Sequence, residues 1–147
     1  HMLQIWQTPF YSPNKTIEAT NGSYLFKVGN KEVVRAMAEA NPSEKIACLG
    51  LAFKANIDDF RESPARYVAA SLAREYGDRV CVVEPYAAEL PQEFAGTNAE
   101  LVDIDTALEE CGVLIALVDH DVFKVIPGEE RQDRIIYDTR GIWPDVA

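Results

Sequence analysis

Three basic side chains occupy suggestive positions in a chain that is otherwise acidic. Lys54 follows an apolar segment that ends in GLAF, Arg61 lies in the segment FRESP, and Arg140 lies in DTRG. The formal net charge of the 147 residues is -10 at pH 7, so an anionic ligand needs a local cluster of cations to hold it. Because lysine and arginine form charge-assisted hydrogen bonds with phosphate oxygens, the three residues predict a phosphate or diphosphate site if the fold brings them together.

Apolar segments divide the chain into predicted strands, and helical segments lie between them. The strands are predicted over residues 45–53, 79–84, 100–104, 113–118 and 134–138. Strands that alternate with helices predict an α/β fold of the doubly wound, Rossmann-like kind. We expect a mostly parallel sheet of about five to six strands with helices on both faces.

Capping residues predict where the helices begin and end. Ser63 suits the N-cap and Pro64 the first position of a helix that stops at Gly77. Asp105 is predicted to cap a short helix over 106–111, and a further helix is expected over about 30–40. Residues 3–23 are rich in Pro, Asn, Ser and Thr, which predicts an irregular arm.

The predicted sheet brings the candidate residues to one edge. Ligands of open parallel sheets bind beyond the carboxyl ends of the strands, at a point where the strand order reverses. Phe53, Lys54 and Arg61 follow the first strand and Arg140 follows the fifth. The helix that starts at Pro64 presents its anion-favouring end nearby. The alternative is that these are solvated loop charges, and spacing alone does not decide between the two.

The turn after the first strand lacks the GxGxxG pattern of dinucleotide-binding units. The glycines of that pattern let the backbone approach a pyrophosphate, whereas Phe53 and Lys54 in their place would hold a ligand with their side chains. An NAD site of the usual kind is therefore disfavoured at this turn.

Two further polar residues follow strands and have two interpretations each. Glu84 is either an acid that binds a ribose hydroxyl or a residue that ends its strand, and the adjacent Pro85 favours the second. His120, with Asp119 and Asp121 beside it, is either part of an acid–base pair or a residue packed at the strand end. We favour packing, with Asp119 capping the turn that follows.

Composition excludes several classes of function. An acidic chain disfavours nucleic acid and anionic membranes, and no apolar segment approaches the roughly 20 residues of a membrane span. A single histidine outside the first two residues argues against a multi-histidine metal site, and Cys48, Cys81 and Cys111 are expected to be buried, reduced thiols.

We expect a cytoplasmic protein divided into a tag remnant at 1–2, an arm and helix at 3–43, and a Rossmann-like domain at 44–147.

Five motifs occur in a fixed order: GLAFK at 50–54, IDDFRESP at 57–64, VVEP at 82–85, LVDHDVFK at 117–124 and DTRGIW at 138–143. Together, over about residues 45–143, they closely resemble the C-terminal domain of the UDP-glucose/GDP-mannose dehydrogenase family. The forms VDH-x-x-FK and RG-x-W resemble the branch that forms N-acetylhexosaminuronates more than the branch that oxidises UDP-glucose.

The resemblance implies a function and assigns roles to the candidate residues. Members of this family use NAD twice to oxidise the C6 alcohol of a nucleotide sugar to a carboxylate, through an intermediate on a cysteine. Phe53, Lys54 and Arg140 would bind the UDP-sugar, and Arg61 would lean towards NAD carried by another domain. A homo-oligomer that serves polysaccharide biosynthesis is expected.

The chain also departs from the family pattern. It has no GxGxxG domain, and none of its cysteines lies in the glycine-rich setting that the family's nucleophile requires, so no catalytic residue is assigned to it. We therefore expect a fragment of a longer enzyme that is inactive alone. The alternatives are a free-standing nucleotide-binding module and a dimerisation domain whose strand-end charges are only solvated.

Overall fold

The computed structural model describes residues 18–145, with side chains from residue 26 onward. In chain order the elements are α1 Glu18–Ala40, β1 Ile46–Leu49, α2 Pro64–Tyr76, β2 Val80–Val83, β3 Glu100–Leu101, α3 Ile104–Glu110, β4 Val113–Ala116, α4 Asp121–Lys124, α5 Gly128–Arg131 and β5 Ile135–Asp138. Short 3-10 turns lie at Gly77–Arg79 and Gln92–Phe94.

The strands form one parallel sheet with the order β3-β2-β1-β4-β5. The central strand β1 pairs with β2 and with β4, so that Ile46 lies opposite both Val80 and Val113. Every residue of β1, β2 and β4 is buried, as expected for strands covered on both faces. The predicted doubly wound, Rossmann-like fold is confirmed, with five strands.

Each face of the sheet has its own apolar core. On one face, α1 and α2 contribute buried side chains such as Val33 and Val68. On the other, Ala107 of α3 packs in a cluster with Phe123 and Trp143. None of the helices within the described range is long and apolar enough to cross a membrane.

The start of α2 is the part of the fold that local sequence predicts best. Ser63 is the N-cap, its hydroxyl oxygen accepting a hydrogen bond from the N–H of Arg66 at 3.3 Å. The same hydroxyl donates to the carbonyl of Ala52 at 3.0 Å, which ties the helix to the turn after β1. The helix begins at Pro64 and ends at Tyr76, as predicted.

The predicted start of the first helix was wrong. Helix α1 begins at Glu18, so residues 18–23 are helical and not part of an irregular arm, and Gly29 and Asn30 lie inside the helix. Glycine costs a helix about 1 kcal/mol relative to alanine, but burial of side chains such as Phe26 and Met37 outweighs that cost. The rest of the predicted arm, residues 3–17, lies outside the described residues.

The predicted cap of the short third helix was also wrong. Asp103, and not Asp105, is the N-cap of α3, and its carboxylate accepts a hydrogen bond from the N–H of Thr106 at 2.8 Å. A cap must reach the amide three residues further on, and Asp105 already lies in the first turn.

Candidate functional site

The candidate site lies at the carboxyl edge of the sheet, where the strand order reverses at β1. The turns after β1, β4 and β5 meet there. His120, after β4, bonds to Asn56 of the turn after β1, and Arg140, after β5, lies 3.9 Å from the carboxylate of Asp119. The segment 119–121 therefore contacts both the turn that carries Lys54 and the loop that carries Arg140.

Glu84 is the buried polar centre of this edge. Its side chain is fully buried. The carboxylate accepts four hydrogen bonds, from the backbone N–H groups of Leu51 at 2.8 Å, Ala52 at 3.1 Å and Tyr86 at 3.0 Å, and from Nε2 of His120 at 3.0 Å. Burial favours the protonated form, but the hydrogen bonds outweigh it and lower the pKa of Glu84 below its ordinary value. An ionised carboxylate therefore fixes the first residues of the turn after β1.

The hydrogen bonds of His120 define its tautomer. Nδ1 accepts the backbone N–H of Asn56 at 2.8 Å, and since that N–H can only donate, Nδ1 carries no proton. Nε2 therefore carries the proton and donates it to Glu84. The ring is fully buried and lies 5.0 Å from the ring of Tyr86 and 5.3 Å from that of Phe123.

Phe53 and Lys54 form the exposed tip of the turn after β1. Phe53 is 52% exposed, although its backbone N–H donates to the carbonyl of Asp59 at 2.8 Å. Lys54 is also exposed and makes no ion pair within residues 18–145. An exposed aromatic ring can stack on a base or sugar, and the free ammonium group next to it can bind a phosphate.

Arg140 lies in a loop that Asp138 organises. One oxygen of the Asp138 carboxylate accepts the N–H groups of Arg140, Gly141 and Ile142, and the other accepts that of Trp143, all within 3.1 Å. The guanidinium of Arg140 lies 5.5 Å from the centre of the Phe26 ring on α1, and its side chain is 32% exposed. A ligand can therefore reach Arg140, whose backbone is already fixed.

Asp138→Asn is expected to lower the free energy of unfolding by about 1–3 kcal/mol. Asparagine keeps one acceptor oxygen, but its amide group would turn a donor towards the N–H of Trp143, which now donates to a carboxylate oxygen. Urea denaturation would measure the change. Asp105→Asn, an exposed aspartate in the first turn of α3, is the matched control, and equal losses in both variants would contradict the assigned role.

Arg61 is paired with Asp59, whose carbonyl accepts the N–H of Phe53. Its guanidinium forms two hydrogen bonds with the carboxylate of Asp59, at 3.1 and 3.2 Å, and lowers the pKa of that carboxyl. The side chain is 86% exposed. Arg61 borders a groove of about 410 Å³ at the start of α2. The residues that line this groove do not include Lys54 or Arg140; they are Lys27, Arg61, Glu62, Ser63, Arg66, Tyr67 and Glu93.

Glu84 and His120 were identified in the sequence, but their connection was not. The strand-end roles favoured for both residues fit the structure. The role predicted for Asp119 was wrong, because His120 is the N-cap residue of α4 and Asp119 faces Arg140 instead. Pairing of β1 with both β2 and β4 brings the residues after those strands together above β1. Strand order would have been needed to see this from the sequence.

The cysteines and acidic groups show no further site in the described range. Cys48, Cys81 and Cys111 are buried free thiols, as predicted, and burial raises the pKa of Cys48 to about 12. Across residues 18–145, no cluster of three or more His, Cys, Asp or Glu side chains could hold a metal ion.

The sequence matches known proteins over the part that forms this sheet. A profile of the UDP-glucose/GDP-mannose dehydrogenase family, UDP binding domain, matches residues 47–145, which is more than half of the chain. The chain belongs to this family, and the matched part is its UDP-binding domain. A second profile, described as an ATPase involved in DNA repair, matches residues 1–54, less than half of the chain, and assigns no family.

Several curated relatives are UDP-N-acetyl-D-mannosamine dehydrogenases. Those of Salmonella typhi and Escherichia coli (strain K12) are 50% and 46% identical over 99 residues, covering 67% of this chain and 23% of the relative. An NDP-N-acetyl-D-galactosaminuronic acid dehydrogenase of Ralstonia nicotianae is 42% identical over 98 residues. The chain thus spans about a quarter of the length of the curated relatives it matches.

Solved structures share the fold. The UDP-N-acetyl-mannosamine dehydrogenase of Staphylococcus aureus superposes with a TM-score of 0.64 at 21% identity, over 90% of this chain and 32% of that one. The UDP-D-ManNAc dehydrogenase of Pyrococcus horikoshii gives a TM-score of 0.60 at 26% identity, over 87% and 30%.

Proposed function

We propose that this chain is the UDP-sugar-binding domain of an NAD-dependent UDP-N-acetyl-D-mannosamine 6-dehydrogenase, and that Phe53, Lys54 and Arg140 bind the UDP-sugar. The observation that carries the proposal is that an exposed, unpaired Lys54 and Arg140 lie on two loops that both contact segment 119–121. In a chain of net charge -10, such cations at the switch point are suited to a diphosphate.

In this proposal the chain binds and orients the substrate and does not carry out the oxidation. Lys54 and Arg140 would pair with diphosphate oxygens, and Phe53 would pack against the base or sugar. The cytoplasmic, homo-oligomeric enzyme of which the domain is part would oxidise the C6 alcohol to a carboxylate. When bound to that enzyme, NAD would accept the hydrides.

The turn after β1 does not fit the diphosphate of NAD. The N–H groups of Leu51 and Ala52, which a dinucleotide would use, already donate to Glu84. Gly50 also leaves no space for a phosphate to approach its backbone on the side of its missing Cβ atom, because Val118 packs there. Arg61, exposed at the groove beside α2, is the one group that we assign to NAD held elsewhere in the enzyme.

Lys54→Ala and Arg140→Ala are each expected to weaken UDP binding by about 10- to 100-fold, since a hydrogen bond to a charged group contributes about 1.5–3 kcal/mol. Titration of UDP into the chain, followed by NMR so that millimolar affinities remain measurable, would test this. Subsequent titrations with UDP-N-acetyl-D-mannosamine, UDP-N-acetyl-D-glucosamine and UDP-glucose would rank the sugars.

Two substitutions that each remove one positive charge far from the candidate site serve as controls. Lys45→Ala removes a lysine at the amino end of β1, the opposite edge of the sheet, and Arg74→Ala removes an arginine from the last turn of α2. If these variants weakened UDP binding as much as Lys54→Ala and Arg140→Ala, net charge alone would explain the effect. Absence of UDP binding by the folded wild-type chain would also contradict the proposal.

A further inference from the structure

We propose that His120 is a positioning residue for UDP binding: its Nδ1 atom, through the backbone N–H of Asn56, sets the conformation of the turn that presents Phe53 and Lys54. The inference rests on the proposed function and assigns to a buried residue the preorganisation of the binding turn. His120 itself is fully buried, so it acts through the turn and not by contact with a ligand.

The hydrogen bonds at the two ends of the tip support this role. At one end, Phe53 is anchored by its N–H bond to Asp59. At the other end, Asn56 is anchored twice: its N–H donates to Nδ1 of His120 at 2.8 Å, and its side-chain oxygen accepts the N–H of Asp121 at 3.0 Å. The position of Lys54 therefore depends on how firmly Asn56 is held.

The backbone of Asn56 needs such an anchor. Its φ of 61° lies in the left-handed region, which is unfavourable for residues other than glycine, although asparagine tolerates it better than most. The turn has no regular secondary structure, and Asn56 is exposed. Without the bond to Nδ1, the turn would sample other conformations.

The imidazole is a rigid anchor because its own orientation is fixed. Nε2 donates to Glu84, which directly follows β2 and bonds to the first residues of the same turn. The rings of Tyr86 and Phe123 pack against the imidazole. Residues at the carboxyl ends of both β2 and β4 thus determine where Asn56 lies. A binding group held in this way loses less conformational freedom when the ligand binds.

Two substitutions of His120 separate its two hydrogen bonds. The side-chain oxygen of asparagine can take the place of Nδ1 and accept the Asn56 N–H, whereas the amide of glutamine can take the place of Nε2 and donate to Glu84 but leaves Nδ1 unreplaced. Ordering the backbone of one residue costs roughly a factor of 5–30 in an equilibrium constant. We expect His120→Gln to weaken UDP binding by about that factor and His120→Asn by less than about threefold.

The experiment measures UDP affinity by NMR titration for the wild type, both His120 variants, Lys54→Ala and the double variant Lys54→Ala/His120→Gln. If His120 acts through the turn, the fold-change in UDP affinity caused by His120→Gln should be smaller in the Lys54→Ala background than in the wild type, because Phe53 alone then remains to bind from that turn. Equal affinities of the two His120 variants, or an undiminished effect of His120→Gln without Lys54, would overturn the inference.

Amide hydrogen exchange tests the same inference without a ligand. Faster exchange at Asn56 in His120→Gln than in His120→Asn would support the positioning role, and equal exchange would overturn it. If the wild type failed to bind UDP, the proposed function would fail while this comparison still decided the role of His120. If His120→Gln failed to fold, nitrogen NMR of the wild-type imidazole would decide, since a proton on Nδ1 would contradict the acceptor role.

Discussion

Replacing Glu84 with alanine is expected to lower the free energy of unfolding by about 3–5 kcal/mol. The buried carboxylate is the shared acceptor for four donors, and alanine would leave these donors without their acceptor. The donors are Leu51, Ala52, Tyr86 and His120. Because a domain is usually stable by only about 5–15 kcal/mol, such a loss would leave the variant measurably unfolded.

Urea denaturation of Glu84→Ala would be compared with that of Glu84→Gln and Glu89→Ala. Glutamine keeps one acceptor oxygen and the shape of the side chain, so its loss should be smaller than that of alanine. Glu89 is an exposed acid in the loop after β2, and its removal should change stability by less than about 0.5 kcal/mol. A loss in Glu84→Ala no larger than that in Glu89→Ala would contradict the role assigned to Glu84.

The pH dependence of stability gives a second readout of the same carboxylate. The pKa of Glu84 is lowered from 4.5, so its contribution is fully present above that pH and is lost as the pH falls through the folded-state pKa. The wild type should therefore lose stability below about pH 4.5, and Glu84→Gln should lose less over the same range. Part of the slope should remain, because Asp59, Asp103 and Asp145 also have lowered pKa values.

Gly50→Ala is the second substitution with a large expected effect, a loss of about 2–5 kcal/mol. Gly50 has a φ of +105°, which is strained for any other residue. A Cβ atom there would also lie 2.4 Å from Cβ of Val118 and 3.1 Å from its backbone nitrogen. Relief would require β1 and the end of β4 to move apart, which would displace the turn that carries Lys54.

Gly141→Ala is the matched control for Gly50→Ala. Gly141 has a φ of +70°, but nothing lies within 4 Å of an added Cβ, so only backbone strain of about 1–2 kcal/mol is expected. Thermal or urea unfolding of the two variants would separate strain from steric overlap. Similar losses at the two positions would show that the contact with Val118 is not what restricts Gly50.

Local signals in the sequence predicted the elements that surround the candidate site. Continuous apolar segments predicted the buried strands β1, β2 and β4, because a strand covered on both faces needs apolar side chains on each. The pair Ser63 and Pro64 predicted the start of α2, since capping depends on residues only three positions apart. The prediction failed for α1, which begins at Glu18 and continues through Gly29 and Asn30, where the local pattern indicates a helix start.

The sequence by itself thus determined the doubly wound architecture and the placement of Phe53, Lys54 and Arg140 after strands, while their contact with a UDP-sugar stays a prediction. Only the tertiary structure decided which strands are neighbours. Pairing of β1 with both β2 and β4 brings Glu84 and His120 together above the turn that carries Lys54. Hydrophobic periodicity encodes the burial of each strand, but strand order depends on crossovers and packing between residues distant in sequence, which no local pattern contains.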